Sequence, residues 1–396
     1  MKNLLLPIKR HQSILIFSLL IAIVISLGCY FLNNCPYPYW DKLDKYSKLE
    51  FLLRNISSKE IKTDDAVFIN VSYDKQLAEY TFDNGNSKGT IAVTDRNKLI
   101  RFLNIAKESK YKYIFLDIRF EDCVYTPQDS ALSSIIKDMP RLIFSDHSDI
   151  ITNDKFQSEK AAINDFFTTI TSTNFTRYQF LQDGKESAPL RLYLATVPDA
   201  KPIEKHGIFY TCGGSLCQNS PFMSIPIDFN STYEGTGASY FHLGPDLFDP
   251  EQNISNEDIQ DELKDKIVIV GDFVSDLHDT YSGMQPGSYL VYLAYNELVN
   301  GKHFLAWPFI ILMTIIYFII SWFILNRKTI WDYIPKLKNV KSKLLLIFLN
   351  FFGYSTLFSL LTILMYVCFR ATYNIFFPSL FFSILSLLIS FKKDKV

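Results

Sequence analysis

Charge is missing from four long stretches of this 396-residue chain: residues 14–32, 304–325, 344–369 and 371–391 contain no Asp, Glu, Lys or Arg. A helical crossing of a bilayer core takes about 20 consecutive apolar residues. Each stretch reaches or approaches that length, which excludes a wholly soluble chain. Short catalytic signatures are missing as well. There is no G-x-S-x-G, no H-E-x-x-H and no phosphate-binding glycine loop. The only adjacent glycine pair, Gly213-Gly214, sits between two cysteines. A zinc site built on Cys212 and Cys217 would need two more soft ligands, and no second close Cys pair exists. No basic patch is present for nucleic acid.

What is present is a charge asymmetry hidden by the net charge of −1. Residues 1–13, 326–343 and 392–396 together hold 12 basic residues against two acidic ones, Asp332 and Asp394. The block 33–303 holds 27 basic and 39 acidic residues. By the positive-inside rule the three basic segments are cytoplasmic and the acidic block is outside. The expected layout is a cytoplasmic tail (1–13), a retained membrane helix (14–32), an extracytoplasmic domain (33–303), a second helix (304–325), a basic cytoplasmic loop (326–343), two further helices (344–369 and 371–391) and a cytoplasmic tail (392–396). The predicted location is the cell inner (plasma) membrane, multi-pass, in contact with lipid. In an oxidising space Cys212 and Cys217, separated by Gly-Gly-Ser-Leu, are expected to close a small disulfide loop.

Within the outer block, residues 66–73 (AVFINVSY), 111–120 (YKYIFLDIRF), 141–145 (RLIFS) and 266–271 (KIVIVG) read as buried strands. Residues 83–89 read as a loop. A helix capped by Thr94 or Asp95 runs to about Ser109, and a short one spans 128–137. Residues 191–197 and 207–210 look like strands, and 288–300 like an amphipathic helix capped by Gly301. Strand and helix alternate, so the predicted fold is a three-layer α/β domain with a mostly parallel sheet, plus four transmembrane helices.

In such sheets ligands sit beyond the carboxyl ends of the strands, and acidic residues cluster there. Asp74, Asp117, Glu121 and Asp279 are expected to converge with Arg96 as a ligand site. Asp272, Asp276, His278 and Asp279 offer carboxylate and imidazole ligands, so a divalent metal is the one cofactor left open. The alternative is a loop capped by Asp side chains and a salt bridge to Arg96.

The order of motifs resembles the second type of the CHASE family, the cyclase/histidine-kinase-associated sensory extracellular domains. The matching stretches are the strand ending in Asp74, then Thr94-Asp95-Arg96, then IFLDIRFE (114–121) and Asp129 with Leu132 and Ile136. They continue with KDKIVIVGDF (264–273), Asp279-Thr280, Gln285-Pro286-Gly287 and Asn300-Gly301. The resemblance implies one N-terminal span, a large extracellular α/β domain and three further spans. Many relatives carry a catalytic output module after the last span, and none is expected here. The expectation is therefore a non-enzymatic sensory protein that binds an unknown small ligand or envelope component and signals through a separate protein partner. The rival readings are a structural or scaffold subunit of an envelope complex and a metal-dependent envelope enzyme. Homo-oligomerisation is left open.

Overall fold

The computed structural model describes residues 2–34, 47–56, 64–81, 86–148, 151–166, 174–225, 239–328, 343–372 and 374–393. Cys35, residues 329–342 of the basic loop and residues 394–396 lie outside them. The chain divides into two compact units. One holds residues 1–56, 204–221 and 302–396, and the other residues 57–203 and 222–301.

Helices α1 (Lys2–Asn33) and α2 (Ser47–Ile56) open the chain. The strands that follow are β1 (Ala66–Asn70), β2 (Lys75–Thr81) and β3 (Ser87–Thr94), leading to α3 (Arg96–Lys107). Next come β4 (Tyr113–Leu116), β5 (Val124–Tyr125), α4 (Asp129–Asp138), β6 (Leu142–Asp146) and β7 (Ala161–Ile163). A small hairpin, β8 (Leu181–Gln182) and β9 (Lys185–Glu186), precedes α5 (Ala188–Thr196). Strands β10 (Ile203–His206), β11 (Phe209–Cys212), β12 (Ser215–Cys217) and β13 (Ser239–His242) lead to α6 (Asn256–Leu263). Then come β14 (Ile267–Gly271), β15 (Leu277–Thr280), β16 (Gly283–Pro286) and α7 (Gly287–Val299). Helices α8 (Trp307–Leu325), α9 (Lys343–Phe369) and α10 (Phe376–Lys393) follow.

The second unit is built on a six-stranded sheet in the order β13-β1-β14-β4-β6-β7, and every pairing is parallel. Side chains alternate between the two faces of a strand. Val67, Ile69, Ile114, Leu116, Val268 and Val270 therefore share one face, buried with Leu99, Phe102 and Leu103 of α3, Leu132 and Ile136 of α4, and Ile259 and Leu263 of α6. Phe68 of β1 points to the opposite face and meets Tyr289 and Tyr292 of α7 edge to face. Both faces are covered, so the strands read as continuous apolar runs. This is the expected three-layer α/β sheet.

Three local expectations change. Residues 191–197 lie largely within α5, not in a strand, because Ser187 precedes the helix and Pro189 presets its first turn. Of the expected loop 83–89, residues 87–89 belong to β3, and residues 83–85 lie outside the described residues. Lys75 to Thr81 pairs with Ser87 to Thr94 in an antiparallel hairpin. Helix α7 is buried on nearly every face rather than amphipathic.

In the first unit, α1, α8, α9 and α10 bury Ala22, Ile25, Met313, Tyr317, Phe358 and Phe382 among them. Ser26 and Thr314 hydroxyls hydrogen-bond at 2.8 Å. Tyr30 at the end of α1 donates to the Cys217 carbonyl and accepts from the Tyr210 amide, both at 2.8 Å. Among the described residues three helical stretches are long and apolar enough to cross a membrane: His11–Asn33, Trp307–Leu325 and Phe348–Phe369. Among the described residues the apolar part of α10 covers Phe376–Ile389, which is shorter than these three. Arg370 adopts a left-handed φ of 55° just after α9, and Asn374 accepts from the Phe377 amide, so α10 starts later than the apolar run does.

The expected Cys212–Cys217 disulfide is absent, and both side chains are buried. Register explains this. Cys217 lies opposite Tyr210 while Cys212 lies opposite Ser215. The two cysteines are therefore diagonal neighbours, where Cα atoms sit about 7–8 Å apart. A disulfide needs roughly 4.4–6.8 Å.

Candidate functional site

Parallel pairing brings the carboxyl ends of β1, β14, β4 and β6 to one side of the sheet. The last residues on the α7 face of those strands, and those just beyond, are small or polar: Asn70, Gly271, Asp117 and Ser145. Asp117 is the hub. It accepts hydrogen bonds from Ser145, from Asn164 at 3.1 Å and from the Ser288 hydroxyl at 2.8 Å. Tyr178 donates to Asn164 Oδ1 at 2.7 Å and so fixes the orientation of that amide. Ser288 stands in the first turn of α7. Gly271 makes this approach feasible, because a Cβ there would collide with Ser288 Oγ. Gly271→Ala should therefore cost about 1–3 kcal/mol by overpacking. Chemical denaturation of the full chain checks this, and a change below about 0.5 kcal/mol would mean that α7 retreats freely.

Asn70 organises the neighbouring strand end. Its Oδ1 accepts from the Ser72 amide at 2.9 Å and the Phe273 amide at 3.2 Å. Ser72 in turn donates to Asp272 at 2.6 Å, and Lys75 pairs with Asp272 at 3.1 Å. Burial pushes the Asp272 carboxyl up, but the bonds from Ser72, the Ser275 amide, Lys75 and the Val274 amide outweigh it and hold the pKa at about 2. Asp272 is therefore ionised and already neutralised by Lys75.

These strand ends line a cleft of about 380 Å³, with Asp117, Arg119, Glu121, Asp272 and Asp276 on its walls. That volume falls within the range of small-molecule sites. Among the described residues Arg119 has no ion-pair partner, and it is exposed. The hairpin β2–β3 supplies another wall through Lys75 and residues 91–94.

Burial pushes the Asp117 pKa up, and the nearby Asp276 charge adds to that; the Ser145 and Ser288 hydroxyls oppose it. The folded chain thus holds this proton to higher pH than the unfolded chain. Between about pH 3.9, the ordinary carboxylate value, and the raised folded value, the folded state binds more protons. Stability then falls as pH rises through that window. Asp117→Asn should remove the slope and raise Tm near neutral pH. Thermal unfolding from pH 4 to 8 tests this, and a variant with the wild-type pH profile would show that Asp117 titrates normally.

The site differs from the expected one. Asp117 and Glu121 do reach the cleft, but Asp74 does not meet Arg96. Asp74 is buried against Lys98 Nζ at 2.6 Å and the Gly244 amide at 2.9 Å. Arg96 instead lies 3.5 Å from Asp129 and packs on the Phe120 ring. Asp279 is exposed in the β15–β16 hairpin, where its carbonyl accepts from the Phe175 amide. The metal set does not assemble either. Asp276 and His278 meet at 3.4 Å, but Asp272 turns to Ser72 and Lys75. Among the described residues no group of three or more His, Cys, Asp or Glu is placed to hold a metal ion.

Sequence reasoning missed Ser145, Asn164, Tyr178, Ser288, Arg119 and Lys75. A usable signal existed for Ser145, which ends an apolar strand with a polar residue on the same face as Ile143. Comparison of the chain with protein-family models, with curated proteins and with solved structures returns no match.

Proposed function

We propose that this protein is a membrane-anchored sensor whose α/β unit binds a small ligand in the cleft at the carboxyl ends of β1, β14 and β4. The observation that carries this reading is the Asp117–Ser288 hydrogen bond. It links the cleft floor to the first turn of α7, and only seven residues separate the end of α7 from the apolar helix α8. Occupancy of the cleft would bear on that bond and hence on the helix that leads toward the membrane. The reading is non-catalytic: among the described residues the cleft holds carboxylates and cations but no paired nucleophile and base. It also includes the resemblance to the second CHASE type, with four spans in the inner membrane, the acidic unit outside and a separate protein as output.

Two experiments test it. A reporter fused after Val396 should be cytoplasmic, and a tag inserted at the exposed Gly184 turn should be external. A cytoplasmic tag at Gly184 would overturn the topology. Thermal shift of the full chain in detergent against amino acids, amines, sugars and short peptides should single out one class. A ligand at 100 times its Kd stabilises by about 2.7 kcal/mol, a rise of several degrees. Asp276→Ala and Arg119→Ala should each abolish that rise. A ligand that stabilises both variants as it does wild type binds elsewhere, and the cleft assignment fails.

A further inference from the structure

One wall of the cleft is the face of a small sheet, whose order is β3-β2-β5. Gln76, Ala78 and Tyr80 of β2 lie opposite Val93, Ile91 and Val124 in antiparallel register. Residues directly opposed across such a pair share a face, and so does every second residue of a strand. Ile91, Val93 and Val124 therefore stand on one side of the sheet, and all three line the cleft. Val124 is buried, Val93 is half-buried and Ile91 is 40% exposed. This wall turns apolar surface toward the cavity.

The strand ends of the large sheet bring charge, and most of it is already answered. Lys75 pairs with Asp272 at 3.1 Å. Asp117 accepts from Ser145, Asn164 and Ser288. Asp276 meets the His278 ring at 3.4 Å. Two lining groups, Arg119 and Glu121, have no ion-pair partner among the described residues. Arg119 is exposed and Glu121 half-buried. What remains open is one cation, one carboxylate and one apolar face. The Asp276 charge also acts on the buried Asp117, and a positive group beside Asp276 would relieve that repulsion.

We propose that the cleft binds a free α-amino acid with an apolar side chain, its carboxylate on Arg119, its ammonium beside Glu121 and Asp276, and its side chain against Ile91, Val93 and Val124. A guanidinium matches a carboxylate with two parallel hydrogen bonds. A simple amine would leave Arg119 unanswered, a simple carboxylic acid would leave Glu121, and a sugar would set hydroxyls against the apolar face. The volume of about 380 Å³ lies near the lower end for small-molecule sites, which suits a ligand of this size. This inference rests on the cleft being the ligand site, and it names the class of ligand.

The test is calorimetric titration of the full-length protein in detergent with valine, leucine and phenylalanine. The tightest of these is then compared with three relatives that each lack one feature. Its amide lacks the carboxylate charge, the acid without its amino group lacks the ammonium, and glycine lacks the side chain. The parent should bind at least tenfold more tightly than each of the three. The penalty for the amide should vanish in Arg119→Gln, because the carboxylate then has no partner to lose. The penalty for glycine should shrink in Ile91→Thr, an exposed position where a β-branched replacement suits the strand. Equal binding of the amide or of the deaminated acid would overturn the amino-acid inference while leaving the cleft as a ligand site. A penalty for the amide that persists in full in Arg119→Gln would overturn it as well. If no apolar amino acid binds while a sugar or a peptide stabilises wild type but not Asp276→Ala, this inference falls and the sensor reading stands. If nothing in either panel binds, both readings fail.

Discussion

Arg96→Ala should destabilise the α/β unit by about 3 kcal/mol, with a fall in Tm on the order of 10 °C. Arg96 opens α3 with its side chain 4% exposed, and Asp129 opens α4 at 2%. Nε and Oδ1 are 3.5 Å apart, an ion pair rather than a hydrogen bond. Burial lowers the Arg96 pKa, and the Asp129 charge opposes that. Removing the cation leaves a buried carboxylate held only by the Thr126 amide and hydroxyl, each at 2.8 Å. It also empties the space over the Phe120 ring, where the guanidinium carbon lies 4.8 Å from the centroid. Breaking one side of a buried pair costs about 3–5 kcal/mol, whereas an exposed pair contributes about 0–1. The missing hydrogen bond places this pair at the lower end of the buried range. Arg96→Ala with Asp129→Ala should cost less than the two single losses added together, because the partners share one interaction. Thermal and urea unfolding of the full chain measure all three variants. A loss below 1 kcal/mol for Arg96→Ala would mean that the pair is solvated. Cleft binding should survive in the variant at temperatures where it is folded, since Arg96 does not line the cleft.

The Arg96 result shows where sequence reading ran out. The order Thr94-Asp95-Arg96 was legible as a helix start, and Asp95 does cap α3, accepting from the Asn97 and Lys98 amides. What could not be read was which acid Arg96 faces. Residues two apart on a helix point about 200° from each other. Lys98 takes Asp74, so Arg96 is turned away toward α4. The strands β1, β4, β6 and β14 were legible because a sheet covered on both faces needs unbroken apolar runs. Strand β2 was not, because Lys75, Leu77 and Glu79 alternate with residues packed on the other face, and the exposed half reads as loop. The hub at Asp117 joins residues 28, 47 and 171 positions away. No local pattern encodes such pairings, which exist only once the parallel register is set. Acidic strand ends pointed to the correct side of the sheet but not to the serines and the amide that complete the network.

Phe68→Ala should be the other large effect, about 3–5 kcal/mol, and it tests how the cleft is connected to α7. Phe68 lies at the centre of β1 and is 1% exposed. Its ring meets Tyr292 at 5.3 Å, Phe273 at 5.7 Å and Tyr289 at 5.8 Å, all edge to face. Such ring pairs add about 0.5–1.5 kcal/mol each beyond area burial. Two tyrosines of α7 and the loop after β14 are thus keyed to one ring on the sheet. Polar ties of α7 would remain in the variant, among them Tyr292 donating to Asp65 at 2.9 Å and Ser288 donating to Asp117 at 2.8 Å. They anchor both ends of the contact but do not fill the space between. The expected outcome is a folded protein in which α7 amides lose most of their hydrogen-exchange protection while those of α3 keep theirs. Phe68→Leu, which keeps most of the volume, should recover the greater part of the stability. A ligand that acts through Ser288 should then stabilise Phe68→Ala less than it stabilises wild type, because α7 no longer reports the state of Asp117 as a rigid body. If Phe68→Ala costs under 1 kcal/mol and α7 stays protected, the polar ties alone hold the helix, and the ring cluster plays no part in passing the state of the cleft along α7.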